Sequence, residues 1–145
     1  MLFNVKLPPY VSSTLANAKA DGCDTVQYKY DGLFKTYDEG GLRTCVLLGD
    51  VFNGPRWEHT DLADTYIIWD CLISQGQDLR RYTYRDRFAY VKIECQRIGN
   101  PFRAVTPYPI NAAPELWRLH PVGTKGVVYR NSKDTWGVVL RVARR

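Results

Sequence analysis

Lys29 is the last but one residue of a run, Thr25-Val26-Gln27-Tyr28-Lys29-Tyr30, whose β-branched and aromatic residues predict a strand, and Asp31-Gly32 follows at once. A lysine amine is a nucleophile only when deprotonated. From an ordinary pKa of about 10.4, each unit of depression, worth about 1.4 kcal/mol, raises the reactive fraction about tenfold. A strand-end position in a partly dry pocket near other cations would supply that depression. A surface lysine beside a turn aspartate accounts for the same tetrapeptide equally well, so the choice rests on what else the chain carries.

The other reactive residue types offer less. Cys23, Cys45, Cys71 and Cys95 lie far apart with no C-x-x-C pair, which argues for small buried hydrophobes rather than a thiolate metal site. His59 and His120 have no serine, cysteine or acid at a triad or metal spacing, and Glu58, Asp61 and Asp64 read as a solvated loop. Basic residues bunch at Arg80, Arg81, Arg85 and Arg87 and again at Arg141, Arg144 and Arg145, within a net charge of +5. Such clusters suit a polyanionic partner, a solvated helix face with a charged tail being the plain alternative.

These residues need a scaffold, and the hydrophobic pattern supplies one. A short helix is expected from Ser12 or Ser13 to Ala20, bracketed by hydroxyl caps and Asp21-Gly22. Strands follow at 25–30, 33–37 and 43–48, the last two joined through Asp38-Glu39-Gly40-Gly41, and three consecutive antiparallel strands are the simplest account. Tyr66 to Leu72 reads as a buried strand. Phe88, Val91, Cys95 and Ile98 form one helical stripe that Gly99-Asn100-Pro101 ends. The segment 101–114 reads as a loop into a short helix, Pro114 to Leu119, and strands at 126–130 and 136–142 surround a turn at 131–134. This order predicts an α+β fold of mainly antiparallel sheets with a few covering helices.

At 145 residues and 45% apolar composition, the chain is expected to form a single compact domain over 1–145. No apolar run approaches the roughly 18 residues of a membrane span, and Met1 to Lys6 lack a secretory pattern, so a soluble, cytoplasmic protein without a membrane partner is expected.

Lys29-Tyr30-Asp31-Gly32 resembles the Lys-x-Asp-Gly nucleophile motif of the ATP-dependent polynucleotide ligases and mRNA capping enzymes. Further segments of this superfamily follow in order. Leu47-Leu48-Gly49-Asp50-Val51 looks like its Leu-Asp-Gly-Glu segment, with Asp50 in the glutamate position. Tyr66 to Leu72 is similar to its apolar strand with an aromatic residue, here Trp69, before aspartate. Tyr84-Arg85-Asp86-Arg87 echoes the Tyr-Arg-Glu-Arg of ligases. Lys125 to Arg130 resembles Glu-Gly-Val-Val-Tyr-Arg, and Leu140 to Arg144 falls where the closing lysine motif belongs.

The resemblance implies a minimal nucleotidyltransferase core with Lys29 and Asp31 catalytic. It implies nucleotide contacts at Gly32, Lys35, Trp69, Lys125, Arg141 and Arg144, and Asp50 on the metal. It implies ATP with Mg²⁺ or Mn²⁺ as cofactors, a lysyl-AMP intermediate, and nicked or end-bearing DNA or RNA as partner, with Arg85 and Arg87 on the nucleic acid. A compact core of this kind also fits a virus- or phage-encoded protein.

The departures are specific. Phe34 holds the position where the family has arginine, with Lys35 next to it, Lys125 replaces the fourth motif's glutamate, and Arg141 and Ala143 replace the closing lysines. No OB-fold segment is expected, so a partner domain in trans is one implication. A catalytically silent relative that binds nucleotide or nucleic-acid ends, or a small basic adaptor, are the alternatives.

Overall fold

The computed structural model describes residues 5–40 and 44–145. Hydroxyl side chains cap two of its helices, the first starting at Leu15 rather than at Ser12 or Ser13 as expected, because Ser12 pairs into a strand. In α1 (Leu15–Ala20) the Thr14 hydroxyl accepts the Asn17 amide at 3.1 Å, and in α2 (Tyr84–Ile98) the Thr83 hydroxyl accepts the Asp86 amide at 3.2 Å. Gly99, at φ 79°, closes α2. The third helix, α3, covers Ala113–Leu119.

The strands form two five-stranded sheets. The first, in the order β1-β10-β9-β2-β8, contains Tyr10–Ser12, Leu140–Arg144, Thr124–Arg130, Thr25–Tyr30 and Tyr108–Pro109. The second runs β3 (Leu33–Glu39), β4 (Cys45–Phe52), β5 (Thr65–Ser74) and β6 (Gln77–Asp78), with β7 (Phe102–Ala104) also paired to β5. Pairing is antiparallel except at β1–β10 and β5–β7. The expected α+β class with mainly antiparallel sheets is what the chain adopts.

Its connectivity differs from the sequence expectation. Segment 25–30 does not continue into a three-stranded meander: β3 and β4 pair, while β2 leaves them for β9 and β8. The change of sheet happens at Asp31-Gly32. The Asp31 amide donates to the Gly123 carbonyl at 2.7 Å, tying it to the first sheet, while a Cβ on Gly32 would meet the Val51 carbonyl at 2.9 Å and Asp50 Cβ at 3.0 Å. Only a residue without a side chain lets this crossing press onto β4. Part of the expected 38–41 turn and the start of the strand expected from Arg43 lie outside the described residues.

The segment 101–114, expected as loop, contributes β7 and β8. Strands of two or three residues are too short to show a period of two, and pairing to β5 and β2 creates them. The turn at 131–134 forms, with Asp24 accepting both the Ser132 amide and its hydroxyl, but the last strand begins at Leu140, not at residue 136. Residues between are held elsewhere, the Trp136 amide donating to the Arg80 carbonyl at 3.1 Å.

Three packing layers result. α2 covers one face of the second sheet through Phe88, Val91 and Cys95 against Leu47, Ile68 and Cys71. α1 and α3 cover the first sheet through Ala18, Ala113 and Leu116 against Val26, Val127 and Tyr129. The remaining faces share a cleft, where Tyr10, Lys29, Val128 and Arg130 from one sheet meet Asp50 and Trp69 from the other. No described helix is long and apolar enough to cross a membrane.

Close approach of β9 to β10 depends on Gly126, at φ 132°, where a Cβ would lie 2.0 Å from the Ala143 carbonyl oxygen. Gly126→Ala is expected to destabilise the protein by at least about 2 kcal/mol, because backbone must move to admit the methyl group. Urea denaturation checks this, and an unchanged midpoint would contradict it.

Candidate active site between the two sheets

Alternation along β2 sets the site. Val26 faces the helix-covered core, while Gln27 and Lys29, two residues apart, both line the cleft. The Lys29 ammonium lies 4.5 Å from the centre of the Tyr10 ring. Burial depresses the Lys29 pKa, Arg144 and Lys125 add to the depression, and Asp50 and Asp31 oppose it. The direction is the one a lysine nucleophile requires.

Asp50, on β4, comes into the same cavity. Burial pushes its carboxyl up to about 6, against the pull of Lys29 and a hydrogen bond from Trp69. The folded protein therefore holds this proton more tightly than the unfolded chain. Its contribution to stability is full below about pH 4 and is lost as pH rises through about 6. Asp50→Asn is expected to remove that loss. Urea midpoints at pH 4 and pH 7 measure it: the variant should gain on the parent at the higher pH, and a constant difference would contradict the assignment.

Asp31 turns away from the lysine it follows. It pairs with Lys125 at 2.9 Å and Arg56 at 3.4 Å, and the Lys125 hydrogen bond, ahead of other effects, holds its carboxyl below the usual range. Lys125 thus has a counter-charge two residues beyond Lys29. Both partners are partly exposed, so the pair matters more for placing charge than for stability. Gly32 serves the close crossing described above.

Trp69 lines the cavity beside Lys29 and Asp50, with Phe34 6.0 Å away and the Arg130 guanidinium 5.8 Å from its ring. Lys35, next to Phe34 on β3, is exposed, and strand alternation directs it away from the Phe34–Trp69 contact. On β10, Leu140 and Val142 face the cleft side with Tyr10, and Arg144 lies with them, 5.7 Å from the Tyr10 ring. Arg141 falls on the other face, paired with Asp21 at 3.3 Å, so the structure brings Arg144 to Lys29 and leaves Arg141 apart.

The two α2 arginines separate in the same way. Arg85 is exposed and borders a cavity of about 300 Å³ with Lys92 and Ser132. Arg87, expected on nucleic acid, is instead 2% exposed and locked to Asp70 by two bonds of 2.9 and 3.2 Å. It faces inward because Phe88 and Tyr84 on the same helix side pack against β5, where Asp70 waits.

Sequence reading gave no role to Tyr10, Gln27, Tyr84 or Arg130. Gln27 donates to the Tyr84 hydroxyl at 2.7 Å and accepts from Arg130 Nε at 3.0 Å, and the Tyr84 hydroxyl donates to the Trp69 carbonyl at 2.8 Å. The signals available were the i, i+2 spacing of Gln27 and Lys29 and the place of Tyr84 and Arg130 in segments that resemble the family's motifs. The cavity containing Lys29 is narrow, about 30 Å³, room for roughly one water, with Tyr10 in its wall. Beyond Arg130 a second cavity of about 330 Å³ opens among Tyr84, Arg87, Trp136 and Arg141.

A divalent ion finds few protein ligands here. No group of three or more His, Cys, Asp or Glu that could hold a metal occurs among the described residues. Asp31 is engaged by two cations, and Asp50 is the carboxylate left in the cavity. This set does not make a metal cage by itself.

No protein-family model and no curated sequence matches the chain. Solved structures do. A Lig E DNA ligase, described for DNA binding with a minimal scaffold, superposes with a TM-score of 0.66 at 12% identity, over 98% of this chain and 70% of that one. A mycobacterial DNA ligase D complexed with ATP gives 0.62 at 17%, over 96% of this chain and 60% of that one. The adenylated DNA ligase of Chlorella virus gives 0.54 at 12%, over 97% and 69%. The chain thus spans between about three-fifths and seven-tenths of these relatives. Its two facing sheets, with Lys29 at a strand end between them, have the fold of the nucleotidyltransferase domain of the ATP-dependent DNA ligases.

Proposed function

We propose that this chain is a ligase-like nucleotidyltransferase core whose Lys29 forms a covalent lysyl-nucleotide, with ATP as the donor that the structural neighbours suggest. The observation that carries this reading is the half-buried Lys29 amine, depressed in pKa, with Asp50, Trp69 and Arg144 around it. The deprotonated Nζ attacks the α-phosphorus. The new N–P bond forms as the bond to the bridging oxygen breaks, pyrophosphate leaves with the bonding electrons, and the amine's proton passes to solvent or to Asp50. Arg144 and Lys125 sit on the cationic side to receive phosphate charge, and Trp69 offers a ring to the base.

Mg²⁺ arriving with the triphosphate would be held chiefly by phosphate oxygens, with Asp50 as the single protein carboxylate near it. Tyr10 must swing off Lys29 to admit the nucleotide. The nucleotidyl group then passes to a 5′-phosphate end of DNA or RNA, for which Arg85 and Lys92 form an exposed basic edge. An OB-fold partner in trans would close over this site.

A second reading, a catalytically silent relative that binds nucleotide or nucleic-acid ends, draws on the Lys125–Asp31 pair, which puts a satisfied cation where the family has a carboxylate. Intact mass after incubation with Mg²⁺ or Mn²⁺ and ATP or GTP separates the two. An adduct of one nucleoside monophosphate, absent in Lys29→Ala, supports the enzyme. A folded protein that binds nucleotide without an adduct supports the silent relative.

A further inference from the structure

Lys125 owes its orientation to an irregularity in the first sheet. Tyr28 pairs with Val127 and Tyr30 with Thr124, so Lys125 and Gly126 on β9 together stand opposite Lys29 on β2. Val127 and Tyr129 face the helix-covered core, and unbroken alternation would send Lys125 there with them. The extra residue, admitted by Gly126 at φ 132°, re-aims the strand. The Lys125 ammonium instead meets Asp31 at 2.9 Å, and its charge is felt at both Lys29 and Asp50.

The charges gathered around Lys29 are unequal. Lys125, Arg144 and Arg56 join it on the positive side, against the carboxylates of Asp31 and Asp50. Both oxygens of Asp31 are engaged, Oδ1 by Lys125 and Oδ2 by Arg56 at 3.4 Å. A divalent ion wants several hard oxygen ligands and would enter a region that is already net positive, whereas the same region draws a triphosphate in.

An ammonium can meet phosphate charge where an ion would. It places positive charge and three N–H donors on the nonbridging oxygens while the bond to the leaving group breaks. The Lys125 side chain is 45% exposed, so it can move from Asp31 to a phosphate, and Asp31 still keeps Arg56.

We propose that Lys125 is a catalytic residue whose ammonium holds the nonbridging oxygens of the α-phosphate in the place of a protein-bound divalent ion. This rests on the reading of Lys29 as the nucleophile. Lys29 Nζ forms the N–P bond as the bond to the bridging oxygen breaks, pyrophosphate leaves with that electron pair, and the amine's proton passes to solvent. Lys125 keeps its own protons throughout.

Two measurements test the assignment, with the fold of each variant checked by circular dichroism. Adduct formation with ATP, followed by intact mass in excess EDTA, is expected to proceed in the unaltered protein, to slow about 100-fold in Lys125→Ala and to recover in Lys125→Arg. Mn²⁺ alone, titrated by electron paramagnetic resonance, is expected to bind Lys125→Glu at least about tenfold tighter than the unaltered protein, because Asp31, Asp50 and the added carboxylate then converge. Equal Mn²⁺ binding by the two proteins would overturn the assignment and leave Lys29 standing as nucleophile. So would adduct formation that stops in EDTA and returns with Mg²⁺ equally in the unaltered protein and in Lys125→Ala. No adduct with or without a divalent ion would overturn both readings.

Discussion

Asp70→Ala is expected to lower the unfolding free energy by about 3–5 kcal/mol, the largest stability effect foreseen for a single side chain here. Asp70 is fully buried, and its removal leaves the Arg87 guanidinium, itself 2% exposed, without its counter-charge. That guanidinium also donates to the Tyr82 and Asp134 carbonyls at 2.8 and 3.2 Å, so it ties β5, α2 and the 131–139 segment into one knot. The Cys71 amide loses its partner on Asp70 as well. Urea denaturation with a fluorescence readout from the tryptophans measures the loss. The double variant Asp70→Leu with Arg87→Leu should recover a good part of it, since no charge is then stranded. A single variant that loses less than about 1 kcal/mol would show that water or backbone groups satisfy Arg87 without Asp70.

Lys29→Arg is expected to abolish nucleotide adduct formation as completely as Lys29→Ala, although it keeps the positive charge. A guanidinium of pKa above about 12 has no deprotonated nitrogen to offer at neutral pH, whereas burial and the nearby Arg144 and Lys125 already move the Lys29 amine toward its neutral form. Nucleotide binding without chemistry should survive in the arginine variant, because phosphate still meets a cation. Intact mass for the adduct and calorimetry for binding make the comparison. Residual adduct in Lys29→Arg would place the nucleophile on another residue.

How far the sequence speaks depends on the length over which a pattern repeats. β2, β5 and α2 were legible because six or more residues carry one period, and caps at Thr83 and Gly99 bound the helix. β1, β7 and β8, with three, three and two residues, exist through pairing and leave no period to read. The Lys29 tetrapeptide was legible as chemistry only together with the segments that follow it in the family's order, since alone a surface lysine beside a turn aspartate accounts for it equally well. Its depressed pKa was not, since that comes first from burial in the cleft beside Tyr10 and then from Arg144 and Lys125 on β10 and β9.

The sequence by itself determined which residues could share a face where a strand was legible, as for Gln27 and Lys29, two apart on one strand, but it assigned Arg141 and Arg144 to the same role. Only the tertiary structure decided which side looks into the cleft, turning Arg144 toward Lys29 and Arg141 toward Asp21. It likewise decided that Arg87 meets a buried carboxylate, that Asp31 serves Lys125, and that Arg130 bonds Gln27 in the cleft. A strand's alternation is a local property of the backbone, whereas the partner of a charge is fixed by register across sheets and by which neighbour arrives to desolvate it.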